Sequence, residues 1–285
     1  MKRRLPDCLP RLRSGRSYRC SMSRCRGMRV SALLLSLALC HAFGQAPTIN
    51  AGGALNASTG TAPVTQGSLV AIYGTGLAAQ IAVAASIPLS MALNNVTVTF
   101  NGEAAPLSFV SPNQINAQLP WDVLNGGPGT ANVVVNNNGA LSAPTPVVVG
   151  AASPAVYATA APGLHAIAVD FTTGLLAAPV GSIPGLTTAP AKVGDILIVY
   201  ATGLGAVSAP PPNGGIPTST VTTTATPTVL IGGVPSNVLF SGLSTFVGAY
   251  QLNVMVPQVP SGSAVPIQIQ LGGITSPNTT TIAVQ

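Results

Sequence analysis

The chain has 285 residues and a formal charge of +6; 47% of its residues are hydrophobic and only 6% are charged. Ten of the eleven Lys and Arg residues lie within the first 29 positions, so the basicity belongs to one end and not to a folded surface. That distribution excludes a nucleic-acid-binding face, which needs a basic patch, and the short alternating runs of Val, Ile, Leu and Ala exclude a disordered chain.

The basic stretch leads into an apolar run, roughly Val30 to Cys40, and then into Ala42-Phe43-Gly44, with small residues three before and one before Gln45. Basic region, short apolar region and small-residue site together read as a secretory signal peptide over residues 1–44. The run falls short of the roughly 20 apolar residues that span a bilayer. Met28 is the start expected for an ordinary signal peptide; Arg3-Arg4 offers a twin-arginine reading and Cys40 a lipoprotein reading, both with poor flanking residues.

Removing residues 1–44 leaves 241 residues with one cation, Lys192, against Glu103, Asp122, Asp170 and Asp195, a formal charge of −3. All four cysteines, Cys8, Cys20, Cys25 and Cys40, go with the leader. The exported part is therefore expected to have no disulfide and no thiolate metal site, no transmembrane span, and no cofactor. It would be extracellular, periplasmic or on the cell surface, held together by its core alone, with weak fields and little electrostatic steering.

The remaining elements follow in chain order. Residues 45–67 read as a loose arm with a first edge strand. Ser68–Tyr73 reads as a strand, turned by Gly74-Thr75-Gly76-Leu77. Asn95–Phe100 is a strong strand, and Asn101-Gly102 after it is a hairpin signal. Ala105–Val110 is the return strand. In Gln114-Ile115-Asn116-Ala117-Gln118-Leu119 the alternation has period two, the mark of a half-buried strand. Ile115, Ala117 and Leu119 would face the core, and Gln114, Asn116 and Gln118 would face outward or bond a neighbouring strand. Pro120 ends the strand, since proline cannot donate to the ladder. Ala131–Val135, the Asn138-Gly139 turn and Thr145–Val149 close this unit.

The second unit repeats the first. Asp195–Leu204 matches residues 68–77, and Thr228–Gly233 matches the Asn101-Gly102 region. Val238–Phe240 matches the return strand. Tyr250–Pro257 matches the central one, with Gln114 placed on Gln251 and Asn116 on Asn253. Val265–Leu271, Gly272-Gly273 and Thr280–Val284 match the last hairpin. Ser208–Pro217, with four prolines, reads as a long, semi-rigid loop. No stretch has a helical period. About seven short strands per unit, with turns every eight to twelve residues, is the pattern of an immunoglobulin-like sandwich. The expected fold is all-β: two tandem immunoglobulin-like β-sandwich domains, residues 45–150 and 151–285. The rival is one intertwined sandwich with strands exchanged between halves.

Several stretches resemble one family: Tyr73-Gly74-Thr75-Gly76-Leu77, Ser111-Pro112-Asn113-Gln114-Ile115-Asn116, Leu119-Pro120-Trp121, Tyr200-Ala201-Thr202-Gly203-Leu204 and Gly248-Ala249-Tyr250-Gln251-Leu252-Asn253-Val254. They look like the uncharacterised Solibacter-type C-terminal domain family of bacterial exported proteins, over roughly residues 45–285. The Tyr-x-Thr-Gly-Leu turns are also similar to those of IPT/TIG Ig-like domains. The resemblance implies a secreted Ig-like module and carries over no activity and no catalytic residue.

Candidate chemistry is thin. His165 is the one histidine of the 241 residues, and a Ser-His-Asp site would need it beside Asp170 or Asp195. No G-x-S-x-G elbow exists. After Pro162-Gly163, His165 is expected as a surface or edge residue, with no catalytic residue and no metal ligand assigned. Four scattered carboxylates make a glycosidase pair a remote reading. Trp121, the single tryptophan, is expected to pack over a sandwich end, with a stacking platform as its functional alternative. The repeat's Gln and Asn residues are expected to serve strand edges or turns. The candidate ligand-binding residues are Trp121, Tyr250, Gln114 and Asn116. The composition thus points to a secreted non-enzymatic protein with a structural, adhesion or binding role, its partner an extracellular protein or polysaccharide. A carbohydrate-binding module for an extracellular polymer is the alternative, and an extracellular hydrolase built on His165 comes third. The sequence does not set an oligomeric state.

Overall fold

Alternating apolar residues become strands throughout. The computed structural model describes residues 46–159, 164–277 and 279–285; the expected signal peptide falls outside the described residues. The first half contains β1 (Thr48–Asn56), β2 (Leu69–Thr75), β3 (Ala82–Val83), β4 (Ala92–Leu93), β5 (Val96–Phe100), β6 (Glu103–Ala104), β7 (Leu107–Val110), β8 (Gln114–Gln118), β9 (Gly129–Asn137), β10 (Ala140–Leu141) and β11 (Thr145–Val149). The second contains β12 (Ala155–Val156), β13 (Ala168–Asp170), β14 (Leu176–Ala177), β15 (Thr188–Ala189), β16 (Ile196–Thr202), β17 (Thr228–Ile231), β18 (Val234–Ser236), β19 (Val238–Leu243), β20 (Tyr250–Met255), β21 (Gly262–Leu271), β22 (Ile274–Thr275) and β23 (Thr281–Val284). One 3-10 turn, Val123–Gly126, is the helical segment among the described residues.

Four sheets result. One runs β1-β2-β8-β7-β3, and its partner runs β10-β9-β5-β4 with β11 on β9 and β6 on β5. In the second half the sheets are β15-β14-β13-β16-β20-β19, with β12 on β16, and β18-β17-β21-β22, with β23 on β21. Each pair of sheets encloses a separate apolar core. Ile72, Val98, Phe100, Leu107, Ile115 and Val133 belong to the first; Leu197, Val199, Val229, Tyr250, Leu252 and Ile267 belong to the second. The fold is therefore all-β and built of Ig-like sandwiches, and among the described residues no strand of one half lies in a sheet of the other. Period-two patterning sets this directly: Ile115, Ala117 and Leu119 are each 0% exposed, because alternate side chains of a strand share one face.

The internal repeat is reproduced in register. Tyr73 pairs with Gln114, Ile72 with Ile115 and Ala71 with Asn116; Tyr200 pairs with Gln251, Val199 with Leu252 and Ile198 with Asn253. Even an irregularity repeats. Register slips by one residue between Leu107 and Phe109 opposite β8, and between Val238 and Phe240 opposite β20. The hairpin at Asn101-Gly102 has positive φ at both residues, 50° and 86°, the backbone of the primed turns that match strand twist.

The two halves also touch. Residues 45–285 pack as one unit. Asn56 Nδ2 donates to the carbonyl oxygen of Ser153 at 3.2 Å, and a Cβ on Gly203, where φ is +73°, would collide with that same Ser153 carbonyl. The proline-rich loop leaves the second half and docks on the first. There the Gly214 N–H donates to Gln118 Oε1 at 2.6 Å, and the Leu89 N–H donates to the Gly214 carbonyl at 2.8 Å. Gln118 departs from expectation: it is buried under this loop instead of facing solvent, and its Nε2 donates to the Gly67 carbonyl at 2.9 Å.

Candidate functional site

The outward face of each long sheet carries the same four side chains. In the first half Tyr73 comes from β2, Gln114 and Asn116 from β8, and Phe109 from β7. In the second half Tyr200 comes from β16, Gln251 and Asn253 from β20, and Phe240 from β19. The pairings given above put each set on one patch: Tyr beside Gln, and Phe beside Asn. The bulge explains the Phe. An extra residue, Ser108 or Leu239, re-aims the strand so that the ring shares the face of the amides. Gln114 Nε2 donates to Asn116 Oδ1 at 2.8 Å, and Gln251 Nε2 donates to Asn253 Oδ1 at 2.8 Å. Both bonds stay within one strand and so do nothing to join strands. This differs from the backbone-capping role expected for these amides.

The two patches have different surroundings. Beside the second lies an open cleft of about 450 Å³, lined by Phe240, Gln251 and Asn253 from the sheet and by Thr218, Ser219 and Thr245 from loops, among others, with no charged side chain in its lining. Phe246, 58% exposed, meets the Tyr200 ring edge-on with centroids 5.6 Å apart. At the first, Tyr73 is 36% exposed, and the edge residue Val83, paired with Phe109, is exposed as well.

Trp121 stands elsewhere. It ends the β8 segment at the contact between the halves, with its ring over Gly67 and its edge against the second core. It is half-buried, and its Nε1 is buried without a partner among the described residues. Its backbone N–H donates to Asn213 Oδ1 at 3.0 Å. Asn213 Nδ2 reaches Glu103 Oε1 at 3.2 Å and Asp122 Oδ1 at 3.3 Å. One loop residue thus bridges three groups of the other half. Partial burial, then the hydrogen bond to Asp122 and its negative charge, raise the Glu103 carboxyl to about 7. The hydrogen bond from Glu103 holds Asp122 below the usual carboxylate range. Two carboxyls in mutual contact leave no gap for a glycosidic bond, which needs about 5–9 Å between them.

The other candidates are accounted for locally. Tyr250 is 0% exposed and its hydroxyl donates to the Gly205 carbonyl, so it is a core residue with no surface to offer a ligand. Of the surface or edge position expected for His165, the surface half fails: the residue is 9% exposed, drawn in by a bridge to Thr281, and its Nδ1 is buried with no hydrogen-bond partner among the described residues. Asp170 accepts the Thr172 and Thr173 N–H groups, and Asp195 accepts that of Lys192, both as turn formers. Among the described residues no cluster of three His, Cys, Asp or Glu side chains could hold a metal, and no helix is long and apolar enough to cross a membrane.

Gln114 and Asn116 are therefore the sequence candidates that the fold brings together, and their partners Tyr73 and Phe109, with Tyr200 and Phe240, were missed. The signal existed: aligning the repeats beyond the amides pairs Tyr73 with Tyr200 and Phe109 with Phe240. No such signal existed for Asn213, whose contacts span 91 to 110 residues.

Sheets of this kind define an all-β, Ig-like protein. Residues 56–149 match the family model of the IPT/TIG domain and form an Ig-like domain of that type. No curated protein sequence matches the chain. Among solved structures, similar folds include SGBP-B of the Bacteroides ovatus mixed-linkage glucan utilization locus, in complex with a mixed-linkage heptasaccharide. There the TM-score is 0.33 at 15% identity, over 78% of this chain and 42% of that one. The I9–I11 tandem of titin aligns with a TM-score of 0.20 at 12% identity, over 84% of this chain and 65% of that one. Domains 5–6 of the S-layer protein SbsC align with a TM-score of 0.20 at 12% identity, over 84% and 96%. The chain thus spans less than half the length of the Bacteroides ovatus protein, and at these values the likeness is one of fold alone.

Proposed function

We propose that the chain is an exported, non-enzymatic Ig-like protein that binds a partner at or outside the cell surface, in an adhesive or structural role. In this reading residues 1–44 are the signal peptide, with Met28 as the true start, and residues 45–150 and 151–285 are the two domains of a Solibacter-type module. The observation that carries it is the duplicated Tyr-Gln-Asn-Phe face. Core positions of a repeat stay alike because packing demands it. Four half-exposed positions are under no such demand, and an amide pair bonded within its own strand does not tie the sheet together. Recognition remains as the reason for keeping them. The partner is an extracellular protein or polysaccharide and not a nucleic acid, since residues 45–285 hold a single cation.

The test is sedimentation of the purified protein with cell-envelope and secreted-polymer fractions of the source organism. Wild-type protein should sediment with one fraction, and the Phe109→Ala/Phe240→Ala double variant should stay in the supernatant while keeping its thermal transition. A wild-type protein that stays in the supernatant with every fraction, or a variant that sediments as well as wild type, would refute the reading.

A further inference from the structure

We infer that the cleft beside β19 and β20 is a binding site for a neutral polysaccharide, with the equivalent face of the first half as a second, shallower subsite for the same polymer. The inference rests on the binding role proposed above and names its ligand.

The chemistry of the lining selects that ligand. Thr218, Ser219 and Thr245 supply hydroxyls that both donate and accept, and Gln251 and Asn253 supply amides. The bond from Gln251 Nε2 to Asn253 Oδ1 fixes both amides in one orientation. That bond leaves Gln251 Oε1 as an acceptor and Asn253 Nδ2 as a donor, side by side and already oriented. Adjacent hydroxyls of a pyranose ring present the complementary pair. The ring of Phe240 lies on the same face and offers an apolar plane for the C–H face of a sugar. Phe246, standing proud of the surface against Tyr200, lengthens that platform. Because no cation stands in the lining, an anionic polymer would give up part of its hydration with no opposite charge to offset the cost.

An extended peptide is the competing occupant, and the sheet edge argues against it. Peptides join Ig-like sheets by adding a strand to an open edge. Over Ser241–Leu243 the edge of β19 is already covered by the chain at 221–223. There the Thr223 N–H donates to the Ser241 carbonyl at 3.0 Å, and the Leu243 N–H donates to the Val221 carbonyl at 2.9 Å. Beside the cleft, recognition is left to side chains.

Repetition favours a polymer over a single sugar. Two copies of one face on one compact unit gain through effective concentration when a chain engages both.

The test is affinity electrophoresis of the purified protein through gels containing dextran, glucomannan or a mixed-linkage β-glucan, with alginate and a polyglutamine peptide as comparisons. At least one neutral polymer should retard the protein, and alginate and the peptide should not. Gln251→Ala and Phe240→Ala should each weaken the retardation at least tenfold. Phe109→Ala should weaken it severalfold for long chains. Circular dichroism and thermal unfolding of each variant separate lost contacts from lost folding, and the milder Gln251→Glu, which keeps the shape and adds a charge, should also lose retardation. No retardation by any neutral polymer overturns the inference. So does retardation that survives Gln251→Ala and Phe240→Ala, or binding of alginate or the peptide in place of a neutral polymer. A protein that sediments with an envelope fraction through Phe240 but ignores every neutral polymer keeps the binding role and loses this ligand; one that does neither loses both.

Discussion

Replacing Asn213 with Ala should loosen the contact between the two sandwiches, and more so in alkaline solution. The side chain accepts from the Trp121 N–H and donates to Glu103 and Asp122. Leaving a half-buried N–H unpaired costs about 1–3 kcal/mol. The bonds to the carboxylates are partly solvated and add about 0–1 kcal/mol. A total of about 2 kcal/mol lowers Tm by roughly 4–8 °C for a chain of this size. The pH dependence follows from Glu103, raised to about 7, where the bond from Asn213 works in the opposite direction by favouring the ionised form. At pH 5 the folded Glu103 is protonated and the bond counts for little; at pH 8 it is ionised beside Asp122 and the bond counts most. The loss of Tm should therefore be larger at pH 8. The assay is thermal unfolding followed by tryptophan emission, whose single source is Trp121 at this contact. The variant should also emit further to the red before unfolding, as the indole gains water. A variant with the same Tm at both pH values, or with unshifted emission, would show that Asn213 does not hold the halves together.

Glu103→Gln tests the same contact from the other side. A raised pKa means stability that is present below the ordinary carboxylate value of 4.5 and is lost as pH rises through about 7. Asp122, held low, works in the opposite sense and below that window. Glutamine cannot ionise, so the variant should match wild type at pH 4.5 and exceed it in Tm at pH 8; equal pH profiles in thermal scans would sink the account. Tyr250→Phe should cost about 1–2 kcal/mol by stranding the buried Gly205 carbonyl, read by urea unfolding. Its binding to any polymer should be untouched, and lost binding in a folded variant would restore Tyr250 as a ligand residue.

The local plan of this protein is legible in its residues. Alternation in Gln114–Leu119 places Ile115, Ala117 and Leu119 in the core because a strand has no other way to arrange successive side chains. Asn101-Gly102 marks a hairpin because few other residue pairs accept positive φ twice. The repeat of Gln114-Ile115-Asn116 in Gln251-Leu252-Asn253 announces two copies of one unit, and the register of each copy follows from it. Only tertiary structure decided what those copies do with their polar residues. Gln118 has the same outward parity as Gln114, yet it is buried because a loop from the other half, about a hundred residues away, lies across it. Tyr250 and Tyr200 both belong to the matched segments, and whether each faces core or solvent depends on its parity in the strand and on what covers that face. His165 is drawn in by a bridge to Thr281 that no spacing foretells. Asn213 is one polar residue in a proline-rich loop until the loop docks and gives it three partners. Strand patterning is a short-range consequence of backbone geometry and is written in neighbouring residues. Contacts between distant loops depend on how two finished sandwiches meet, and no local pattern carries that.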